Sequence, residues 1–580
     1  MAKVGPKTNI ARRWFSAHRL AFVIMFMLWA VITTGCLLYL FSGHATLVKW
    51  YLGLNNCFYH CQNWSIDFFT PGIKSDGNMY CVITIIVAYG GLFATFKKLK
   101  AEHKTTSRFK IKIAFPELLI ILLLLIITSA LWYAGNKNTL PAHDEIFSAF
   151  NSAGIHPFQT MSYYMLPNNH VFFNLLNALI FHSSLDKVAT GRLISLAAYC
   201  SFVIAVFYWF KFIIKKQWLA FFVSIALALQ CPVWGFSFQA RGYELCLLAG
   251  WGMIISLFSY LQTQQKYWLT INVLCCCTGY FCMPSFLYLH AAQLLFVLLY
   301  TFLYKPKETS FWKYQFAAAG ITYLLYLPLL CFSGLASLAA NGYVAPMSGF
   351  KQRPLGDFLQ WMWMTFQSYV THIFSNVHLG TISFDLVLYL VPLALLFRRK
   401  NKFSVMFGLF YVLMWAVFFI LVIVMKRLPF ERNLIAHYSI TLAGVILVVE
   451  WITSSAAKKT SLQIPLAFVF VLVVISFAYH FFTTNDTFIK VTLYEHDVDA
   501  TYKELSKGLE YIPPGSTVAF SDEGFFYRYI CMKNGCKISN CPTGSETFYV
   551  TENYEQMPQA FSENYEMVKS LGDHAIYKRK

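Results

Sequence analysis

The sequence predicts an all-α polytopic membrane protein of about 13 transmembrane helices, with amphipathic helices in its outer loops and a small C-terminal extracytoplasmic α/β domain. Three observations carry this expectation. Hydrophobic residues make up 57% of the 580, and the mean hydropathy is +0.52, too apolar for a chain that folds in water. Apolar runs long enough to cross about 30 Å of hydrocarbon recur along the chain. The short loops rich in Lys and Arg all fall on one side when the faces are alternated.

The runs begin near Leu20, Met79, Leu118, Leu193, Trp218, Leu245, Trp268, Ser285, Phe316, Ile382, Phe403, Leu434 and Ile464. The first follows Arg12, Arg13 and Arg19, as a signal peptide would. It is long, however, and no small-residue cleavage pattern follows it, so it reads as a retained span. Alternation from a cytoplasmic N-terminus then places Lys97 to Lys112, Lys211 to Lys216, Lys305 and Lys307, Arg398 to Lys400, and Lys458 and Lys459 inside. Of the 46 Lys and Arg, about 25 fall inside, about 11 in the longer outside loops and about ten in the tail. The C-terminus is therefore expected outside. The net charge of +19 reads as a topology signal and an attraction to anionic lipid headgroups, with no basic surface that calls for nucleic acid.

Three segments follow from this pattern. Residues 1–114 hold two N-terminal helices and a basic cytoplasmic loop, and residues 115–484 form a membrane module with outer loops at 134–191 and 337–380. Residues 485–580 form an outer α/β domain of roughly 95 residues, a size that can just bury a core. In the first outer loop, Asp144 to Phe150 reads as the acidic first turn of a helix, and Val171 to Phe181 as an apolar helix too short to span. In the second, Trp361, Trp363 and Phe366 are aromatics expected at headgroup level. In the tail, Tyr502 to Leu509 looks helical, and Thr517 to Phe520 and Thr547 to Val550 look like strands, with Pro513, Pro514 and Gly515 turning between. Most cysteines lie in apolar runs, where a thiol acts as a small hydrophobe. Cys57, Cys61, Cys531, Cys536 and Cys541 lie outside, where an oxidising compartment permits bridges whose pairing the sequence leaves open.

Charged groups at membrane depth are expensive and tend to mark function. Asp144 and Glu145, after Pro141, would by themselves only complement a helix dipole. On the same face, however, lie Asn168, Asn169 and His170, then Arg241 and Glu244, then Lys426, Arg427, Glu431 and Arg432. Arg241 and Glu244 read equally as a local pair fastening a short turn or as functional groups. Lys426 and Arg427 read as snorkelling cations. Arg432 opens a span and suits bidentate contact with a phosphate. His170 reads as a hydrogen-bonded loop residue or as a base. His143, His156, His170 and His182 have no zinc spacing, so no structural zinc is expected. Phosphate-binding Gly loops, nucleophile elbows and metalloprotease helices are absent from the sequence, and the spans lack a carboxylate relay for proton-coupled transport.

The ordered set Asp144-Glu145, Pro167-Asn168-Asn169-His170, Gly191-Arg192-Leu193, Ala240-Arg241-Gly242-Tyr243-Glu244 and Pro429-Phe430-Glu431-Arg432 resembles the GT-C integral membrane glycosyltransferases. That superfamily includes the protein O-mannosyltransferases and bacterial lipid A aminoarabinose transferases. The resemblance, over roughly Leu118 to Tyr479, implies transfer of a sugar from a polyprenyl-phosphate carrier to a glycan, lipid or protein hydroxyl on the extracytoplasmic face, with inversion. It implies Asp144 as catalytic base with Glu145 beside it, and Arg241, Arg432 and Glu244 around the donor phosphate and carrier. It also implies substrate contacts from His170, Asn169 and Tyr243, a divalent cation (Mg or Mn) as a candidate cofactor, and a bacterial inner-membrane location. Two spans with a Cys-containing loop precede the family's usual first span. Val171 and Phe172 follow His170 where relatives often carry prolines. The chemistry of the residues runs the same way: a hydroxyl nucleophile needs a carboxylate to take its proton, and a departing phosphate needs fixed cations. A lipid-linked saccharide transporter, or a non-catalytic envelope scaffold, are the alternatives.

Overall fold

The computed structural model describes residues 7–55, 64–101, 114–164, 169–181, 186–304, 309–339, 354–370, 386–398, 401–456 and most of 502–580. Among the described residues, eight helices are long and apolar enough to cross a membrane, and a bent pair makes a ninth if taken as one span. This is a multi-pass membrane protein. The run expected from Ile464 lies outside the described residues, as does the start of the one at Ile382.

Helices α1 (Lys7–Phe41), α2 (His44–Leu54) and α3 (Pro71–Ala101) form an N-terminal unit, with α1 lying along α3. Its core is aromatic: Tyr51 stacks on Trp64 with centroids 4.1 Å apart, and Phe69 bridges Trp64 and Phe332 at 5.1 and 5.0 Å. Flat rings bury much area at little entropic cost, which suits a unit of few elements.

Helix α4 (Phe115–Asn138) starts with Pro116 and Glu117 and ends with Lys137, each suited to its end of the helix. Short helices α5 (His143–Ser148), α6 (Pro157–Ser162) and α7 (Val171–Ile180) follow; α5 and α7 lie where the sequence suggested a helix start and a helix too short to span, and α6 was not anticipated. Helix α8 (Lys187–Ile214) is capped by Asp186, whose Oδ1 accepts the Ala189 N–H at 2.9 Å. Lys211 near its far end pairs with Glu117 of α4. A second such pair, Arg398–Glu450, lies at 3.1 Å.

The run from Trp218, expected as one span, is broken. Helices α9 (Gln217–Ala228) and α10 (Cys231–Ser237) meet at 71°. Pro232 cannot donate to the preceding turn but fits the first turn of a new helix, so the chain stops at Leu229 and restarts. The bend folds α10 inward, so the turn that follows it, Phe238 to Gly242, is buried and not laid over the surface.

The remaining helices of this part are α11 (Tyr243–Thr263), α12 (Tyr267–Cys282), α13 (Leu287–Tyr304), α14 (Thr309–Phe332), the single turn α15 (Ala336–Ala339), α16 (Leu355–Val370), α17 (Val391–Phe397), α18 (Lys402–Met425) and α19 (Ile435–Ala456). Their core centres on Trp209, Trp251, Phe258 and Phe407. α16 buries Phe358, Met362 and Phe366, spaced four apart on one helical face, against α18. It is the amphipathic helix anticipated around Trp361 and Trp363.

The C-terminal part folds as a five-stranded sheet in the order β2-β1-β3-β5-β4. Strand β1 (Thr517–Phe520) runs parallel to β2 (Lys537–Ser539) and β3 (Phe548–Glu552), while β5 (His574–Arg579) is antiparallel to β3 and to β4 (Tyr565–Leu571). β1 and β3 lie where the sequence suggested strands, at Thr517 to Phe520 and Thr547 to Val550. Helix α20 (Phe525–Lys533) crosses from β1 to β2. Its Tyr527 and Ile530 share one buried cluster with Val518, Phe548 and Ile576, and that cluster continues into Ile146 and Phe147 of α5. The sheet domain thus sits directly over α5.

Candidate active site

Pro141 and Ala142 deliver the chain into α5, and Glu145 reaches back to accept the Ala142 N–H at 2.9 Å. The same carboxylate accepts Nε and Nη2 of Arg192 at 2.9 and 3.0 Å and the Ala240 N–H at 2.7 Å, and it is wholly buried. Arg192 spends Nη1 on Asn136 Oδ1 and the Thr139 carbonyl, both at 3.0 Å. One bidentate pair therefore ties the ends of α4, α5 and α8 to the turn before Arg241.

With Glu145 turned inward, Asp144 faces the other way, about one-third exposed. Its Oδ2 lies 3.2 Å from Nη1 of Arg241 and 3.5 Å from Nη2 of Arg432. These three groups come from segments about 100 and 190 residues apart in sequence, and the fold brings them together. Arg241 is buried, and its Nη2 donates to the Tyr243 hydroxyl at 3.2 Å. Arg432, in the 3-10 turn before α19, is a quarter exposed, with its guanidinium carbon 4.6 Å from the Phe430 ring centroid.

Close backbone approach sets this geometry. A Cβ on Gly242 would stand 2.9 Å from the His170 Cβ, and one on Gly191 would stand 2.7 Å from the Ala240 Cβ. The glycines of both sequence motifs are thus needed for fit. His170 packs edge-on to Tyr243 with centroids 4.8 Å apart. Burial, and then the Arg241 and Arg432 cations, hold its imidazole well below the usual value of 6.5, so it is neutral. Among the described residues neither ring nitrogen makes a well-formed hydrogen bond, a contact with the Cys282 backbone falling short of one.

Several expected contacts are placed differently. Glu145 is saturated by hydrogen bonds and has a fastening position, not a reacting one. Asn169 gives both amide hydrogens to the Thr160 and Tyr163 carbonyls and accepts from Asn174, so it fastens its own loop. Glu244 is fully buried in the first turn of α11. Its carboxylate makes no ion pair with Arg241 among the described residues, and its oxygens have no hydrogen-bond partner there. The local pair that would fasten the turn does not form. A buried, unpaired carboxylate is also ill-suited to meet a phosphate. Asn168 lies outside the described residues.

The donor set does not suit a divalent cation. Asp144 is flanked by two guanidinium groups, and among the described residues no three His, Cys, Asp or Glu side chains gather. Arg192, which organises the site, stood in the sequence within the Gly191-Arg192-Leu193 motif that opens a span, with no role assigned to it. Its signal was an arginine at membrane depth facing a loop with two carboxylates.

The sheet domain closes over this assembly. Tyr502 donates to the Pro141 carbonyl at 3.3 Å, Lys533 pairs with Asp186 at 3.1 Å, and Phe526 packs on His143. Between domain and bundle lies a cavity of about 770 Å³ bordered by Trp132, Lys137, Arg192, Tyr502 and Lys533.

No protein-family model matches the sequence, and no curated relative does. Among solved structures, the chain is similar to ArnT from Cupriavidus metallidurans bound to undecaprenyl phosphate, at 10% identity and TM-score 0.47, over 80% of this chain and 98% of that one. The apo form of the same protein gives a TM-score of 0.45, with the same identity and coverage. The chain is also similar to the archaeal oligosaccharyltransferase AglB from Archaeoglobus fulgidus in complex with an inhibitory peptide and a dolichol-phosphate. That likeness is at 10% identity and TM-score 0.43, over 76% of this chain and 69% of that one.

Proposed function

We propose that this protein is a GT-C-type glycosyltransferase: it moves a sugar from a polyprenyl-phosphate carrier to an acceptor hydroxyl on the extracytoplasmic face, inverting the anomeric centre. The N-terminus then lies in the cytoplasm and the sheet domain outside, in a bacterial inner membrane. Residues 115–484 form the catalytic module and 485–580 the outer domain. One observation carries this reading, the meeting of Asp144, Arg241 and Arg432 at a half-open edge of the bundle.

In the structure the Asp144 carboxylate is the anion that Arg241 and Arg432 hold. A carrier phosphate offers both guanidinium groups a stronger, bidentate partner. As they turn to it, Asp144 is released to accept the proton of an incoming hydroxyl. The bond from hydroxyl oxygen to anomeric carbon forms as the bond to the phosphate oxygen breaks, and the two cations stabilise the charge that grows on the leaving phosphate. Attack opposite the leaving group inverts the centre. Arg241, the more buried, acts in the drier surroundings; Arg432, at the rim, meets the carrier first. The neutral ring of His170 packs behind Tyr243 and adds no charge to compete with theirs.

The test uses the purified chain in proteoliposomes with radiolabelled polyprenyl-phosphate sugars and a panel of lipid, glycan and peptide hydroxyl acceptors. A new glycosidic bond supports the reading. Movement of intact carrier across the bilayer with no new bond overturns it in favour of transport.

A further inference from the structure

Helix α20 ends in a defined stop. The Cys536 N–H donates to the Cys531 carbonyl and the Gly535 N–H to the Met532 carbonyl, both at 3.0 Å, and Gly535 takes φ +81°. These are the six-to-one and five-to-two bonds of a Schellman motif, with Gly535 in the left-handed position that glycine adopts without strain. The motif has a side-chain consequence. It brings the residue three before the cap and the second residue after it into contact, a place two apolar groups usually fill. Here both are cysteines, Cys531 and Cys536.

Both side chains lie in one buried cluster, where Cys536 Sγ also donates to the Pro513 carbonyl at 3.8 Å. Cys531 is fully buried and Cys536 is 7% exposed, and both are free thiols in the structure. The remaining tail cysteine, Cys541, lies outside the described residues.

We propose that Cys531 and Cys536 are a disulfide-forming pair, closed by exchange with a dithiol–disulfide oxidant of the compartment that receives the sheet domain. This rests on the proposed orientation, which puts that domain outside the cytoplasm. The Cys536 thiolate, the more accessible, attacks the oxidant's disulfide and expels one of its sulfurs as thiolate. The Cys531 sulfur then displaces the second oxidant sulfur from Cys536, forming the Sγ–Sγ bond. Two protons and two electrons leave the pair, and the oxidant's disulfide becomes a dithiol. Burial raises both thiols above their usual value of 9, so thiolate is scarce once the domain has closed. Exchange therefore belongs to the stage before α20 docks. The bond then pins the end of the helix whose Phe526 and Lys533 contact His143 and Asp186 beside the site.

The test takes the full chain from membranes whose free thiols have been trapped with N-ethylmaleimide, and digests it with trypsin. Cleavage after Arg528, Lys533 and Lys537 leaves Cys531 in Tyr529–Lys533, Cys536 in Asn534–Lys537 and Cys541 in the next fragment. The expected result is Tyr529–Lys533 joined to Asn534–Lys537, two hydrogen masses below the sum of the reduced peptides and separating on reduction. Maleimide on both peptides, or either one joined to the Cys541 fragment, overturns the pair. Protease added to intact and to inverted vesicles reports the side of the domain separately. Free thiols in a domain found outside overturn the pair alone, and free thiols in a domain found inside overturn the orientation with it.

Discussion

Glu145 and Arg192 share two parallel hydrogen bonds of 2.9 and 3.0 Å in a fully buried setting, and this pair decides where Asp144 points. Neighbouring carboxylates at the start of a helix face different directions. Anchoring one inward presents the other to Arg241 and Arg432.

Removing either partner of that pair leaves a buried charge uncompensated. Arg192→Ala or Glu145→Ala is expected to cost about 3–5 kcal/mol of stability, read as a loss of thermal or denaturant midpoint in detergent. Glu145→Asp, which keeps the charge, should lose less. Substitutions at Lys533, whose pair with Asp186 is exposed, should change stability by less than about 1 kcal/mol.

Arg241 and Arg432 should separate by burial. Arg432→Ala is expected to weaken polyprenyl-phosphate binding about tenfold or more, the worth of a charged hydrogen bond at about 1.5–3 kcal/mol. Arg241→Ala should weaken it further, because Arg241 is almost inaccessible to water that could replace it. Equilibrium binding of polyprenyl phosphate to protein in nanodiscs checks both. Lysine at either position should recover part of the binding, since it keeps the charge and loses the fork.

Gly242→Ala places a methyl 2.9 Å from the His170 Cβ. Overpacking of this kind costs about 1–3 kcal/mol and should displace Arg241, lowering both melting midpoint and transfer. Gly320, with nothing within 4 Å of its Cβ position, is the control: Gly320→Ala should be neutral or slightly stabilising.

The depressed pKa of His170 makes a pH prediction. Above the ordinary value of 6.5 the ring is neutral in both folded and unfolded chains, and its contribution to stability is fully present. As pH falls below 6.5 the unfolded chain takes up a proton that the folded one refuses, so stability is lost towards the lower folded value. Unfolding midpoints measured across that window should fall for the native chain and fall less for His170→Gln.

Much of this was legible in the sequence because membranes impose simple rules. Apolar length marked the helices, and the cost of charge at depth singled out Asp144, Arg241 and Arg432, which the fold brings to one place. The strand-like runs at Thr517 and Thr547, set off by the Pro513-Pro514-Gly515 turn, placed β1 and β3. Pairings across distance were not legible. No local pattern says that Glu145 would find Arg192, 47 positions on, or that Arg241 would prefer Asp144 to the Glu244 three residues away. The break at Leu229 was hidden because hydropathy ignores direction. Only Pro232 signalled it, and its effect depends on where the preceding helix stops.

The most direct test is turnover by Asp144→Asn, with carrier binding measured on the same protein. The substitution keeps size and removes the base, so lipid-linked sugar transfer should fall about 10²- to 10⁴-fold while polyprenyl-phosphate binding is kept or tightened, the two arginines having lost their resident anion. Transfer at the native rate in a folded, carrier-binding Asp144→Asn protein would contradict the account.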